Sequence, residues 1–264
     1  MRRVLLFDLD ETLMLEEPAA VAAFDATARF AATCHDVDVA SLARAARSRA
    51  RELWYASPTH SYCQRVGISS WEGLWCRFQG EHPSVRSLRR WSRTYRREAW
   101  RLALCDQRID DTELAVQLGE LFASERRAHQ EVFADVPLAL GDLAQSHTLA
   151  LLTNGASCLQ REKLAASGLG EYFQVVVVSA EFGVGKPDAS IFGHALSLLG
   201  CDGAHAVMIG DSLRRDIDGA LAAGLSGIWV NRPGDPRPAG RANLLEISSL
   251  SELAAVLSRL PSGL

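Results

Sequence analysis

The sequence predicts an α/β protein, a Rossmann-like parallel sheet core interrupted near its start by an inserted α-helical cap domain. Three observations predict it. The short apolar run RVLLFD, residues 3–8, opens the chain and ends in acid. Residues 17–130 then carry helical spacing with almost no strand signal. From about 132 onward, apolar runs alternate with helical segments, the pattern of a parallel sheet with crossover helices.

The first run is too short for a helix and reads as a buried strand. The insertion follows, with PAAVAAFDATARFAAT, VASLARAARSRARELWYA and VRSLRRWSRTYRREAWRLAL as its clearest helical stretches. Pro18 suits a first helical turn, and Asp110 or Asp111 suits a later N-cap. Trp71, Trp75 and Phe78 recur at i, i+4 and i+7 and are expected in the insertion's own core, where they could also exclude water from a site. Residues 77–101 hold eight arginines against Glu81 and Glu98. A solvated face with Leu88, Trp91, Tyr95 and Leu102 turned inward is the expected reading, and recognition of a second anionic group is the alternative.

Beyond the insertion come the strands HTLALLT, YFQVVVVS, HAVMIGD and GIWVN. Between and after them come the helices SCLQREKLAASG, DASIFGHALSLLG, RRDIDGALAAG and SLSELAAVLSRL. Gly168 and Gly224 end two of these helices. Near-continuous apolar strands such as QVVVV fit a sheet covered on both faces. The Pro/Gly-rich stretch NRPGDPRPAGRAN reads as a surface loop. The expected division is a core of 1–15 and 132–264 and an inserted domain of 16–131.

Composition narrows the function. The 264 residues are 48% hydrophobic and 23% charged with a net charge of −4, ordinary for a globular protein and contrary to a general nucleic-acid binder. No stretch of about 18 apolar residues could span a membrane. The opening MRRVLLFDLDETL carries acids where a signal peptide would be apolar, so a cytoplasmic location is expected. The six cysteines form no CxxC pair and are expected to be ordinary reduced thiols. Of 28 basic residues only Lys163 and Lys186 are lysines. In such a chain a lysine invites the question of what an ammonium does there that a guanidinium cannot.

In open parallel sheets, ligands bind beyond the carboxyl ends of the strands. The expected strand ends carry Asp8-Leu9-Asp10-Glu11-Thr12, Thr153-Asn154-Gly155, Gly185-Lys186-Pro187 across a short loop, and Gly210-Asp211-Ser212 followed by Asp216 and Asp218. Several carboxylates, one ammonium and small hydroxyl or amide groups are thereby directed to one crevice. Two carboxylates one residue apart on a strand point to opposite faces, so the chain must loop out directly after Asp8 if both are to serve one substrate.

DLDET, LLTNG, GKPD and GDSLRRD, in this order, resemble the haloacid dehalogenase superfamily in its phosphatase branch with a helical cap. The overall layout is similar to N-acylneuraminate-9-phosphatase, phosphoglycolate phosphatase and related nucleotidases. The resemblance covers residues 1–14 and about 132–260, with the insertion where that family carries a cap. It implies a Mg2+-dependent phosphomonoester hydrolase acting on a small phosphorylated metabolite. Asp8 matches the nucleophile that becomes an aspartyl-phosphate, and Asp10 the general acid and base. Thr153 and Asn154 match phosphate donors, and Lys186 the lysine that stabilises the phosphorylated aspartate. Asp8, Asp211 and the main-chain carbonyl of Asp10 match the metal ligands. Thr12, Ser212 and Asp216 would support them, with Asp216 orienting Lys186 or metal-bound water.

The remaining charged residues are read more plainly. Asp188 is expected to cap the next helix, and Asp218 and Lys163 to face solvent. The superfamily's dehalogenase branch lacks a second aspartate, and Asp10 is present. A phosphonatase would need a cap lysine, and residues 1–162 contain none. A phosphomutase on the same core, or a non-catalytic binding protein on the same fold, are the alternatives that remain.

Overall fold

The computed structural model describes residues 2–260. The ends of the expected core, Met1 and residues 261–264, lie outside the described residues. Six strands form one fully parallel sheet: β1 (Val4–Phe7), β2 (Thr148–Thr153), β3 (Val175–Val178), β4 (Ala206–Gly210), β5 (Ser226–Val230) and β6 (Leu245–Ile247). Their order is β3-β2-β1-β4-β5-β6. β1 lies between β2 and β4, with Phe7 opposite Leu151 on one side and Ile209 on the other. The chain builds outward from β1 to β3, then returns to start β4 on the other side of β1. The strand order therefore reverses between β1 and β4, where the crevice of a doubly wound sheet opens.

Alternation along the buried strands divides the core in two. Leu5, Phe7, Leu149, Leu151, Val207 and Ile209 pack on one face. Val4, Leu6, Ala150, Leu152, Ala206 and Met208 pack on the other. Both faces are covered by helices, which is why these strands are apolar at every position.

Five strands lie where the sequence predicts them; β6 was not anticipated. It has three residues, only Ile247 of them buried, and follows the Pro/Gly-rich stretch, so it offers too few positions for a period. Helix Val136–Ser146 also goes beyond the sequence reading. The expected surface loop begins inside the protein. Asn231 is buried, donates to the Asp235 carbonyl at 2.9 Å and to Glu246 Oε1 at 2.6 Å, and accepts from the Asp235 amide.

The chain divides into two compact units. The first holds residues 2–15, Val132–Asn154 and residues 164–260; the second holds Glu16–Glu131 and Gly155–Lys163. Residues 155–163, expected with the core, thus group with the insertion.

The second unit is helical: Glu17–Ala31, Val39–Tyr55, His60–Val66, Ser70–Trp75, Pro83–Asp106 and Thr112–Ala128. Local chemistry starts each of the main helices. Pro18 sits in the first turn of Glu17–Ala31. Asp38 and Asp111 accept from the amides of Ser41 and Leu114, so Asp111 rather than Asp110 is the cap. Ser69 and Glu72 form a reciprocal capping box. Trp75, Phe78, Leu88 and Tyr95 are buried as the periodicity predicts, whereas Trp71, Trp91 and Leu102 are half-buried. Several arginines do more than coat the surface. Arg89 donates to the carbonyls of Phe78 and Gly80, Arg96 to those of Gly73 and Cys76, and Arg127 to that of Trp75. They satisfy the last carbonyls of helix Ser70–Trp75 and those of the irregular stretch that follows it.

Lys163 corrects the sequence reading. It is fully buried, not solvated. Its ammonium lies 2.9 Å from Glu16 and 3.8 Å from Glu72, and Arg126, also fully buried, meets Glu16 at 2.8 Å. Burial opposes ionisation of Glu16, but Lys163 and Arg126 outweigh it and hold the carboxyl below its usual range. Burial pushes Glu72 up. Breaking a buried pair by removing one partner strands the other charge. Lys163→Met is therefore expected to lower the unfolding free energy by about 3–5 kcal/mol in urea titration. The Glu16 contribution is present above that carboxyl's ordinary pKa of 4.5 and is lost as pH falls through its depressed value, so wild type and Lys163→Met should converge in strong acid.

Candidate active site

β1 ends at Phe7, and the Asp8 amide still donates to the Ile209 carbonyl at 2.9 Å. Asp8 is thus fixed by the ladder of the central strand. The chain then turns out of the sheet. Leu13 and Met14 both donate to the Leu9 carbonyl, and Glu11 adopts the left-handed region at φ 60°. That conformation costs a non-glycine residue about 1–2 kcal/mol. The turn is the looping-out that two carboxylates one residue apart require. Asp10, half-exposed, lies within it, bridged through the backbone to Met14.

β4 ends at Gly210, and Asp211 follows. A Cβ at Gly210 would collide with the Asp216 carboxylate, so glycine is what lets Asp216 approach the strand. Asp216 is fully buried at the start of the next helix, and its Oδ2 accepts from the Ser212 amide at 2.9 Å. Lys186 Nζ lies 2.7 Å from Asp8 Oδ1 and 2.7 Å from Asp216 Oδ1. Carboxylate oxygens of Asp8, Asp211 and Asp216 all fall within 4.8 Å of one another.

A brace surrounds this centre. The Asp211 amide donates to Thr12 Oγ1 at 3.0 Å, and Trp229 Nε1 donates to the Asp211 carbonyl at 2.7 Å. Arg232 donates to the Thr12 carbonyl through Nε and Nη2 at 3.2 and 2.9 Å, pairs with Asp135 at 3.2 Å, and lies 3.7 Å over the Phe133 ring. Asn154 grips the main chain of Lys186: its Nδ2 donates to the Lys186 carbonyl at 2.9 Å, and its Oδ1 accepts from the Lys186 amide at 2.8 Å. The lysine precedes a cis peptide bond to Pro187.

The structure thus joins Asp8, Lys186, Asp211 and Asp216, with Thr12 and Ser212 bonded to them and Asn154 bonded to the lysine's backbone. The Asn154 side chain holds the Lys186 main chain. Thr153 is buried at the end of β2, its hydroxyl 3.4 Å from the Asn154 carbonyl. Asp188 caps the next helix through the Ser190 amide, and Asp218 pairs with Arg241 at 2.7 Å. Sequence reasoning missed Trp229 and Arg232. Trp229 lies inside an apolar strand, where an indole reads as packing. Arg232 lies in the stretch taken for surface, although it follows directly on β5.

The electrostatics call for a cation. Burial lowers the Lys186 pKa, but Asp216 and Asp8 overcome it and raise the net value, so the ammonium stays charged. Burial, with Asp8 and Asp216 adding repulsion, pushes Asp211 up to about 8, and Asp216 is also raised, chiefly by burial. When ionised, three carboxylates outnumber the one ammonium, and such a set of carboxylate oxygens fits Mg2+.

Fold and centre together define an α/β enzyme built around carboxylates at the switch point of a parallel sheet. A family model described as haloacid dehalogenase-like hydrolase matches residues 2–224, and the chain belongs to that family. It is 34% identical over 238 residues to a phosphoserine phosphatase of Thermus thermophilus, covering 89% of this chain and 92% of that protein. It is 39% identical over 150 residues to rat N-acylneuraminate-9-phosphatase, covering 56% of this chain and 60% of that one. Among solved structures, a 2-haloacid dehalogenase from Pseudomonas syringae shares 29% identity at a TM-score of 0.62, covering 99% of this chain and 100% of that one. The magnesium-bound HAD-hydrolase YfnB of Bacillus subtilis shares 22% at 0.65, with 97% and 99% covered, and shows the common fold.

Thr12→Val tests the brace at nearly constant volume. It removes the acceptor for the buried Asp211 amide and is expected to cost about 1–3 kcal/mol in urea unfolding.

Proposed function

We propose that the chain is a Mg2+-dependent phosphomonoesterase that hydrolyses a small phosphorylated metabolite through a phosphorylated Asp8. The observation that carries this reading is the Asp8 carboxylate at the end of the central strand, 2.7 Å from Lys186 and clustered with Asp211 and Asp216.

Asp8 is the nucleophile: one of its oxygens bonds to phosphorus as the ester oxygen leaves. Lys186, tied to Asp8 and Asp216, supplies a fixed positive charge beside the phosphoryl group as the bond changes hands. Asp10, outside the strand ladder on the turn, gives its proton to the leaving alkoxide and then takes one from the water that attacks the aspartyl-phosphate. The Thr153 hydroxyl and the main-chain amides of Leu9 and Asn154 are the neutral donors for phosphoryl oxygens. Asn154 acts further by holding the Lys186 backbone. Asp8, Asp211 and the Asp10 carbonyl would hold Mg2+, which would supply charge neutralisation for the incoming phosphate. Asp216, occupied by Lys186 and the Ser212 amide, orients the lysine.

The similar proteins favour different chemistries. The relatives matched at 34% and 39% identity are phosphatases, whereas the Pseudomonas structure is a dehalogenase. Asp10 favours phosphate esters, because an alkoxide leaving group needs a proton that a departing halide does not.

The assay is hydrolysis of p-nitrophenyl phosphate with Mg2+ and then with EDTA. Turnover should require the metal and disappear in Asp8→Asn. Asp10→Asn should cost about 10²–10⁴-fold on an alkyl phosphate, and less on p-nitrophenyl phosphate, whose phenolate leaves without a proton. Turnover of 2-chloropropionate, or metal-independent turnover, would refute the assignment. A panel including phosphoserine, N-acylneuraminate 9-phosphate and phosphoglycolate, ranked by kcat/KM, identifies the substrate.

A further inference from the structure

Two thiols of the helical unit meet outside the carboxylate centre. Cys76 directly follows helix Ser70–Trp75, and Cys158 lies in the first turn of helix Ser157–Ser167. Their sulfurs are 3.5 Å apart with no bond between them. Cys76 is fully buried and Cys158 is partly exposed.

Both sulfurs are held in place. The Phe78 amide donates to Cys76 Sγ at 3.3 Å, and the Gln79 amide to Cys158 Sγ at 3.3 Å. The backbone supplying those amides is pinned by Arg96 on the Cys76 carbonyl and Arg89 on the carbonyls of Phe78 and Gly80. Packing alone would not require main-chain donors aimed at both sulfurs.

We propose that Cys76 and Cys158 form a peroxide-reactive dithiol, with Cys158 as the attacking sulfur and Cys76 as the resolving one. Exposure assigns the roles, because a hydroperoxide can reach Cys158 first. The proton distribution agrees. A hydrogen bond from the Cys76 thiol, aided by the amides of Gln79 and Phe78 and opposed by partial burial, brings Cys158 down to about 6. Burial drives Cys76 well above the usual thiol range, so it keeps its proton.

The chemistry balances. The Cys158 thiolate attacks one peroxide oxygen, the O–O bond breaks, and Cys158 becomes a sulfenic acid while the other oxygen leaves as water after taking a proton. The Cys76 sulfur then attacks the sulfenic sulfur, the S–O bond breaks, and the hydroxyl leaves as a second water with the Cys76 proton. Two thiols lose two electrons to one hydrogen peroxide. The disulfide ties the segment 155–163 to the end of helix Ser70–Trp75, closing a long loop of chain.

The test treats the full-length protein with stoichiometric hydrogen peroxide at neutral pH, alkylates the remaining thiols and maps the peptides by mass spectrometry. The expected product is a dithiothreitol-reducible Cys76–Cys158 cross-link, while the exposed Cys34 and Cys105 remain alkylatable. In Cys76→Ser, Cys158 should stop at the sulfenic acid and be trapped by dimedone. In Cys158→Ser, Cys76 should stay reduced. Before oxidation at about pH 7, Cys158 should react with iodoacetamide about twofold faster than free cysteine, because its larger thiolate fraction is mostly offset by the lower nucleophilicity of a low-pKa thiolate. Preferential oxidation of Cys34 or Cys105, or recovery of Cys76 and Cys158 both alkylated after peroxide, would overturn the proposal. These readouts are independent of phosphate-ester hydrolysis.

Discussion

The contact between Lys186 and the two aspartates, Asp8 and Asp216, is the interaction on which the rest of the sheet unit depends. An ammonium taken out of water is costly, and it survives only with charge partners in good geometry. Those partners come from different strands. Asp8 is delivered by β1, and Asp216 by the turn after β4. The lysine's own backbone is clamped by Asn154, at the end of β2. One cation therefore couples the carboxyl ends of three adjacent strands. Its charge is sustained because all three are in register.

The same dependence explains the small residues around it. Gly210 has no side chain because Asp216 occupies the space a Cβ would need, and Gly185 is equally constrained by the Asn154 amide. Thr12 is buried because its hydroxyl meets the Asp211 amide, and Arg232 holds the Thr12 carbonyl in turn. The loop that carries Asp10 is therefore anchored at Thr12 to the end of β4, while Glu11 absorbs the backbone strain between them.

Much of this was legible in the sequence because the central strands are mostly apolar and the polar residues at their carboxyl ends stand out against that background. DLDET, LLTNG and GDSLRRD read as strand ends, and GKPD as a segment a short way beyond one. The elements that escaped notice had no such contrast. β6 is short and mostly half-buried, and Trp229 and Arg232 act through an indole N–H and a guanidinium whose partners are main-chain carbonyls. A carbonyl partner leaves no residue type to recognise. The same reason hid the purpose of Arg89, Arg96 and Arg127. The Cys76–Cys158 pair was hidden by separation, since the two cysteines lie 82 positions apart and share no local motif.

Lys163 shows how far the reasoning from composition could have been carried. A chain that uses arginine almost everywhere places both of its lysines in the interior, at 0% and 5% exposure. The argument that an ammonium must serve where a guanidinium cannot applied equally to both, yet only Lys186 stands beside a recognisable motif. Burial does not separate their roles, but charge balance does. Around Lys163 two cations, with Arg126, face two glutamates, and the group is neutral when fully ionised. Around Lys186 one cation faces three aspartates, and burial with mutual repulsion pushes Asp211 up to about 8. A balanced buried cluster can rest as it is and holds a fold together. An unbalanced one stores repulsion that a bound cation would relieve, and it is this imbalance, more than the ion pair, that distinguishes the aspartate cluster from the group around Lys163.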